Sequence, residues 1–148
     1  MEIERKFLVD KDKFDYSSYP HTELVQGYLS TNPVVRVRRD GDEYYLTYKG
    51  QGMMVREEYN LPLTRESFEH LLAKADGNII SKTRYRIPFG KYTIELDEFH
   101  EPFSPLIMAE VEFDSEEEAV AFIPPEWFGE DVTKDPAYHN SNMSRKVF

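Results

Sequence analysis

The chain has 148 residues, is 40% hydrophobic and carries a formal net charge of -10, from 18 Lys and Arg against 28 Asp and Glu. This acidic balance argues against non-specific binding of nucleic acid or anionic membranes, and the absence of cysteine excludes disulfides and thiolate chemistry. Neither a secretory signal nor an apolar run of about 20 residues is visible. We therefore expect one cytoplasmic domain over residues 1–148, with no nucleic-acid or membrane partner and an oligomeric state that the sequence leaves open.

Alternating polar and apolar residues predict that most of the chain forms short strands. The eight predicted strands cover residues 2–9, 24–30, 34–39, 43–49, 53–61, 79–89, 92–99 and 108–113. The sequences DGD at 40–42, GQG at 50–52 and FGK at 89–91 are typical of tight turns. Because such turns join neighbouring strands in opposite directions, the sheet should be antiparallel.

Two segments have helical rather than strand periodicity. In residues 64–75, four apolar side chains recur at the spacing of one helix face, and an Asp-Gly pair follows as a stop. The sequence SEEE at 115–118 matches a capping box and predicts a short helix that extends to residue 122, before two prolines. A large sheet with two helices is the expected architecture.

The first strand raises the question of what its charges are for. Its sequence EIERK places Glu2, Glu4 and Lys6 on one side of the strand. At about 3.3 Å of rise per residue, neighbouring members of this trio stand about 7 Å apart. One surface therefore carries two anions and a cation, which either face water or hold a ligand.

The other predicted strands continue this division into an apolar face and an ionic face. The apolar face contains Ile3, Val35, Val37, Leu46, Tyr48, Tyr59, Leu61, Tyr85, Ile87, Ile94, Leu96, Val111 and Phe113. The ionic face contains Glu2, Glu4, Lys6, Arg36, Arg38, Lys49, Arg56, Glu58, Lys82, Arg84, Arg86, Glu95, Asp97, Glu110 and Glu112. A half-solvated antiparallel sheet, with its charged face in water, is the simplest explanation for any single strand.

The signs on the ionic face are sorted by strand, which a solvated surface does not require. Arg36 and Arg38 share one strand, whereas Glu110 and Glu112 share another. Like charges side by side cost about 0.2–1 kcal/mol per pair, so we expect a ligand to supply the countercharge. A basic wall suits a polyanion and an acidic wall suits a divalent cation, a combination typical of phosphoryl transfer.

The ordered motifs resemble those of the CYTH superfamily, also called triphosphate tunnel metalloenzymes. They are EIERK at 2–6, followed in order by QGYL at 26–29, RVR at 36–38, KTRY at 82–85 and EVEF at 110–113. The resemblance covers nearly the whole chain. It implies a mainly β (α+β) fold, a closed eight-stranded antiparallel β-barrel with a few flanking helices, which binds a triphosphate with Mg²⁺ or Mn²⁺ and cleaves a phosphoanhydride bond.

The resemblance also implies a role for each matching residue. The implied metal-binding or acidic lining residues are Glu2, Glu4, Glu58, Glu95, Asp97, Glu110 and Glu112. The implied triphosphate contacts are Lys6, Arg36, Arg38, Lys49, Arg56, Lys82 and Arg84. Tyr28 is implied to act with Lys6, and Lys82 is a candidate general base if its pKa lies far below about 10.4. Asn60 stands where the family often has a second carboxylate, which puts a full second metal site on that strand in doubt.

Three functions fit these observations. The first is a triphosphatase that converts inorganic tripolyphosphate to phosphate and pyrophosphate. The second is another catalyst of the same family, a class IV-type adenylate cyclase or a thiamine triphosphatase. The third is a polyphosphate-binding module without catalytic activity. The four histidines lack the paired spacing of a zinc site, and no P-loop sequence is present.

Overall fold

The computed structural model describes all residues from Met1 to Phe148. Ten strands form, namely β1 (Glu2–Val9), β2 (His21–Thr31), β3 (Val34–Asp40), β4 (Glu43–Lys49), β5 (Val55–Arg56), β6 (Glu58–Pro62), β7 (Asp76–Phe89), β8 (Tyr92–Phe99), β9 (Ile107–Glu112) and β10 (Phe128–Asp131). The helices are α1 (Arg65–Leu72), α2 (Glu116–Ala121) and α3 (Asn140–Met143), with short 3-10 turns at Lys11–Lys13 and Pro136–Tyr138. None of the helices has the length and apolar character needed to cross a membrane.

The strands form one antiparallel sheet, as predicted, but its path is not a closed ring of eight. Its order is β10-β1-β9-β8-β7-β2-β3-β4-β6, and β5 pairs with β1 outside this path. The number of strands in the prediction was wrong, and closure of the barrel is not confirmed.

The difference arises at the segment predicted as one strand over residues 53–61. Glu57 divides this segment into β5, which pairs with β1, and β6, which pairs with β4. The ladder between β5 and β1 contains only two residue pairs, Glu2 with Arg56 and Ile3 with Val55. A strand pattern cannot reveal that the chain leaves one partner for another, because both halves keep a similar alternation.

Both predicted helices form, somewhat shorter than expected. Thr64 caps α1 through a reciprocal pair of hydrogen bonds with Ser67, and the Ser115 side chain accepts from the Glu118 amide at the start of α2. Neither β10 nor α3 was predicted, because both lie in a stretch with neither a strand nor a helix period.

Most of the hydrophobic core lies on the side of the sheet opposite the charges. Its main cluster has 11 buried residues and includes Phe7 of β1 and Phe122, which follows α2. A second cluster of 7 buried residues brings Tyr28 of β2 together with Met143 of α3. The C-terminal segment therefore packs against one end of the strands.

The C-terminal segment is fixed to the start of β7. The Asn78 amide donates to the Ser144 carbonyl at 2.5 Å, and the Asn78 side chain donates to the carbonyls of Met143 and Lys146. Gly77 has a φ of +70°, and a Cβ there would lie 2.1 Å from the Ser144 carbonyl oxygen. Only glycine permits this close approach, so the anchor depends on the Gly77-Asn78 sequence.

Candidate active site

The ionic face encloses a cavity of about 310 Å³. Twenty residues line it and only 3 of them are hydrophobic. Its basic lining residues are Lys6, Arg36, Arg38, Lys49, Arg56, Lys82 and Arg84, and its acidic lining residues are Glu2, Glu4, Asp40, Glu58, Glu95, Glu110 and Glu112. The remainder are Tyr28, Val34, Tyr45, Asn60, Asn140 and Ser141.

These charged side chains are largely shielded from bulk solvent. Lys82 is 0% exposed, and Arg36, Arg38 and Glu110 are each below 9%. Polar groups removed from water in this way require partners, because the free-energy cost of an unpaired buried charge is several kcal/mol or more. The face is therefore the wall of a cavity, and the half-solvated sheet does not describe it.

On β3, two arginines form the core of the basic wall. Arg38 Nε donates to Gln26 Oε1 at 2.7 Å, and Arg36 donates through one terminal nitrogen to Thr47 Oγ1 at 3.2 Å. Arg36 Nε is buried and has no hydrogen-bond partner in the protein. A buried donor of this kind is costly unless a ligand satisfies it, and an anion in the cavity would do so.

Lys82 lies between one acidic and two basic neighbours. Its Nζ is 2.7 Å from Asp97 Oδ2 and donates to Asn140 Oδ1 at 3.2 Å. Burial, together with the charges of Arg84 and Arg38, lowers the pKa of Lys82 to about 7, although Asp97 opposes the shift. The amine can therefore exchange a proton near neutral pH, as a general base requires.

Asp97 lies behind the cavity wall instead of on its surface. It is 0% exposed, accepts two hydrogen bonds from Arg84 at 2.7 and 2.8 Å, and also contacts Lys82. Burial alone would raise the pKa of Asp97, but the charges of Arg84 and Lys82 outweigh it and lower the pKa. Among the residues predicted for the site, Asp97 is the one absent from the cavity lining.

Cross-strand pairs supply part of the countercharge that the sequence seemed to lack. In the sheet, Arg84 of β7 stands opposite Asp97 of β8. Lys49 Nζ is 3.0 Å from Glu2 Oε1, and Lys6 Nζ is 3.8 Å from Glu110 Oε1. The expectation that a ligand must balance every sorted strand was too strong, because basic and acidic strands meet in three dimensions.

Glu2 nevertheless behaves unlike a simple partner of Lys49. Burial raises the pKa of Glu2 to about 7 despite the lysine, and a hydrogen bond with Glu58 adds to the effect. Burial would also raise the pKa of Glu58, but its hydrogen bond with Glu2 and the charge of Lys49 bring it down to about 2. Glu58 is therefore the more acidic of these two neighbouring carboxyl groups.

Glu4 and Glu112 form the part of the acidic wall with no cationic partner. They stand directly opposite each other on β1 and β9, and neither makes an ion pair or a hydrogen bond. Desolvation first, and then neighbouring carboxylates, raises the pKa of both groups, although Glu112 is also partly open to solvent. Two carboxylates that stand opposite each other in the sheet and lack protein partners are suited to bind a divalent cation.

The donor set fits a hard cation that shares its coordination with a substrate. No three acidic or histidine side chains converge closely enough to hold a metal ion by themselves. Mg²⁺ commonly binds one or two carboxylates and completes its octahedron with water and phosphate oxygens. The Glu4 and Glu112 pair meets that requirement.

The sequence predictions missed several lining residues. Asp40 continues the period of Arg36 and Arg38, so the alternation could have identified it. Asn140 and Ser141 carry no periodic signal, because α3, with four residues, is too short to show one. Arg86 and the exposed Lys91 line a second cavity, which shares Glu95 and Glu112 with the first.

Comparison with known proteins gives a consistent result. The profile of the CYTH domain matches residues 1–135. The chain is 42% identical to the inorganic triphosphatase of Nitrosomonas europaea, over 99% of this chain and 98% of that protein, and 37% identical to that of Acetivibrio thermocellus, over 99% and 95%. A crystal structure of an inorganic triphosphatase matches with a TM-score of 0.73 at 40% identity, over 99% of this chain and 96% of that one.

Proposed function

The chain belongs to the CYTH family, and we propose that it is a metal-dependent triphosphatase that hydrolyses inorganic tripolyphosphate to phosphate and pyrophosphate. Two relatives that match almost the whole chain carry the name inorganic triphosphatase. The residues proposed to bind substrate and metal are those of the cavity, and Mg²⁺ or Mn²⁺ is the proposed cation.

One observation carries the proposal. The same cavity joins a basic wall containing the unpaired buried Arg36 Nε to an acidic wall containing the unpaired Glu4 and Glu112. A triphosphate would satisfy the first wall, and a divalent cation would satisfy the second. Glu4 and Glu112 would hold the cation, which would offset the negative charge of a bound triphosphate.

The chain's own residues suggest how the reaction proceeds. Arg36, Arg38 and Arg84 are proposed to hold the phosphate oxygens in line for attack. A bond forms between a water oxygen and the terminal phosphorus, while the bond from that phosphorus to the bridging oxygen breaks. Lys82 Nζ is the proposed proton acceptor, because its lowered pKa leaves a substantial neutral fraction near pH 7.

Phosphate release from tripolyphosphate, ATP and thiamine triphosphate tests the function. Each substrate is assayed with Mg²⁺, Mn²⁺ or EDTA, for the wild type, Glu4→Ala and Glu57→Ala. Glu57 is exposed between β5 and β6 and lies outside the cavity, so its variant is the matched control. We expect metal-dependent turnover that favours tripolyphosphate, is lost in Glu4→Ala and is retained in Glu57→Ala.

Other outcomes would redirect the assignment. Cyclic AMP formed from ATP without phosphate release would support a cyclase. Preference for thiamine triphosphate would change the substrate but keep the reaction. Metal-dependent binding of tripolyphosphate without any turnover would indicate a binding module.

A further inference from the structure

Asn140 brings the C-terminal segment into the wall of the cavity. It is the first residue of α3, and it lines the cavity together with Ser141. Its Oδ1 accepts from Lys82 Nζ and from Gln26 Nε2, both at 3.2 Å. Its side-chain nitrogen, Nδ2, has no hydrogen-bond partner in the protein.

The orientation of the Asn140 side-chain amide follows from the two neighbours that donate to it. Arg38 has no acceptor, so its bond of 2.7 Å requires that Gln26 present its oxygen to Arg38. Gln26 must then donate from its NH₂ group to Asn140, which must accept through its side-chain oxygen. Lys82, which can only donate in its ammonium form, imposes the same choice. The Asn140 NH₂ group is thereby left as a free donor at the cavity.

We propose that Asn140 is a substrate-binding residue, which donates from Nδ2 to a phosphate oxygen while its Oδ1 positions Lys82. This inference rests on the triphosphatase function proposed above and adds a neutral donor to the charged residues of the cavity. The side chain of Asn140 lies at the cavity because Gly77 and Asn78 anchor the C-terminal segment to the start of β7.

The substitution Asn140→Asp separates the two functions of the amide. An aspartate has nearly the same shape and still accepts from Lys82 and Gln26, but it replaces the free donor with an anionic acceptor. A phosphate oxygen would then meet a negative charge in place of a hydrogen-bond donor. We expect the KM for tripolyphosphate to rise at least about tenfold, with the thermal unfolding midpoint maintained or raised.

Asn142→Asp is the matched control, because Asn142 is on the same short helix, outside the cavity lining, and its side chain contacts Pro136 and Arg145. This variant should keep its KM within about twofold of wild type. A second readout is the shift in unfolding midpoint caused by tripolyphosphate in EDTA, which should shrink in Asn140→Asp and persist in the control.

The outcomes separate this inference from the function on which it rests. A wild-type protein without turnover on tripolyphosphate contradicts the proposed function itself. An active wild type together with an Asn140→Asp variant of unchanged KM overturns the role of Asn140. A fall in kcat alone, with KM and ligand-induced stabilisation preserved, would also overturn the substrate contact and leave only the positioning of Lys82.

Discussion

Asp97→Asn tests whether Asp97 is an anchor of the basic wall or a metal ligand. Asparagine keeps the shape of the side chain but removes the charge that pairs with Lys82 at 2.7 Å and with Arg84 at 2.7 and 2.8 Å. The side chains of Asp97, Lys82 and Arg84 are at most 8% exposed, so solvent does little to compensate for the lost charge. Removing one member of a buried ion pair typically costs 3–5 kcal/mol, so we expect destabilisation of about that size.

Urea and thermal denaturation measure this change in the free energy of unfolding. For a chain of this length, the expected loss corresponds to a fall of roughly 6 to 20 °C in the unfolding midpoint. Glu95→Gln is the matched control, because Glu95 also pairs with Arg84, at 3.3 Å, but its side chain is 34% exposed. A pair of that kind contributes about 0–1 kcal/mol, so the control should unfold close to the wild type.

The activity of Asp97→Asn separates the two roles further. If Asp97 anchors Lys82 and Arg84, activity should fall and should not recover when the metal concentration is raised. Recovery at high Mg²⁺, with stability near that of Glu95→Gln, would contradict the anchoring role and indicate that Asp97 is a metal ligand.

Two further predictions concern His139, which precedes the cavity-lining Asn140, and Gly27, which packs outside the cavity. Burial, and next the charge of Lys6, lowers the pKa of His139 in the folded protein. As the pH falls, His139 therefore takes up a proton in the unfolded chain before it does so in the folded one. The stability contributed by neutral His139 is then lost on acidification below a pH of about 6.5. Urea denaturation should therefore show that the stability advantage of wild type over His139→Asn shrinks between pH 7.5 and 5.5; an advantage independent of pH would contradict this. In Gly27→Ala the new Cβ would lie 2.7 Å from Ala75 Cβ, so we expect a loss of about 1–3 kcal/mol in unfolding free energy, whereas Gly50→Ala, with 3.5 Å to its nearest neighbour, should change little.

The candidate site was predictable because its residues follow a local rule. Side chains two positions apart lie on one face of a strand, so Arg36 and Arg38, or Glu110 and Glu112, must share a surface wherever the strand goes. The strands at Glu2–Val9, Glu43–Lys49 and Tyr92–Phe99 have the predicted bounds for the same reason. The motif resemblance then associated these faces with a triphosphate and a metal.

Contacts between distant segments followed no such rule. The sequence placed Asp97 with the metal ligands, whereas its register opposite Arg84 and its contact with Lys82 place it behind the wall. It gave no role to Asn140, whose position depends on an anchor at Gly77 more than 60 residues earlier.

The sequence alone therefore identifies most of the strands, their two faces and the chemical character of the cavity, since each depends on residues close together in the chain. The tertiary structure decided which charges are paired and which remain available. Glu2 forms an ion pair with Lys49, whereas Glu4 and Glu112, opposite each other in the sheet, form none. That distinction depends on strand register and burial, which set the distance between charges and the solvent that screens them.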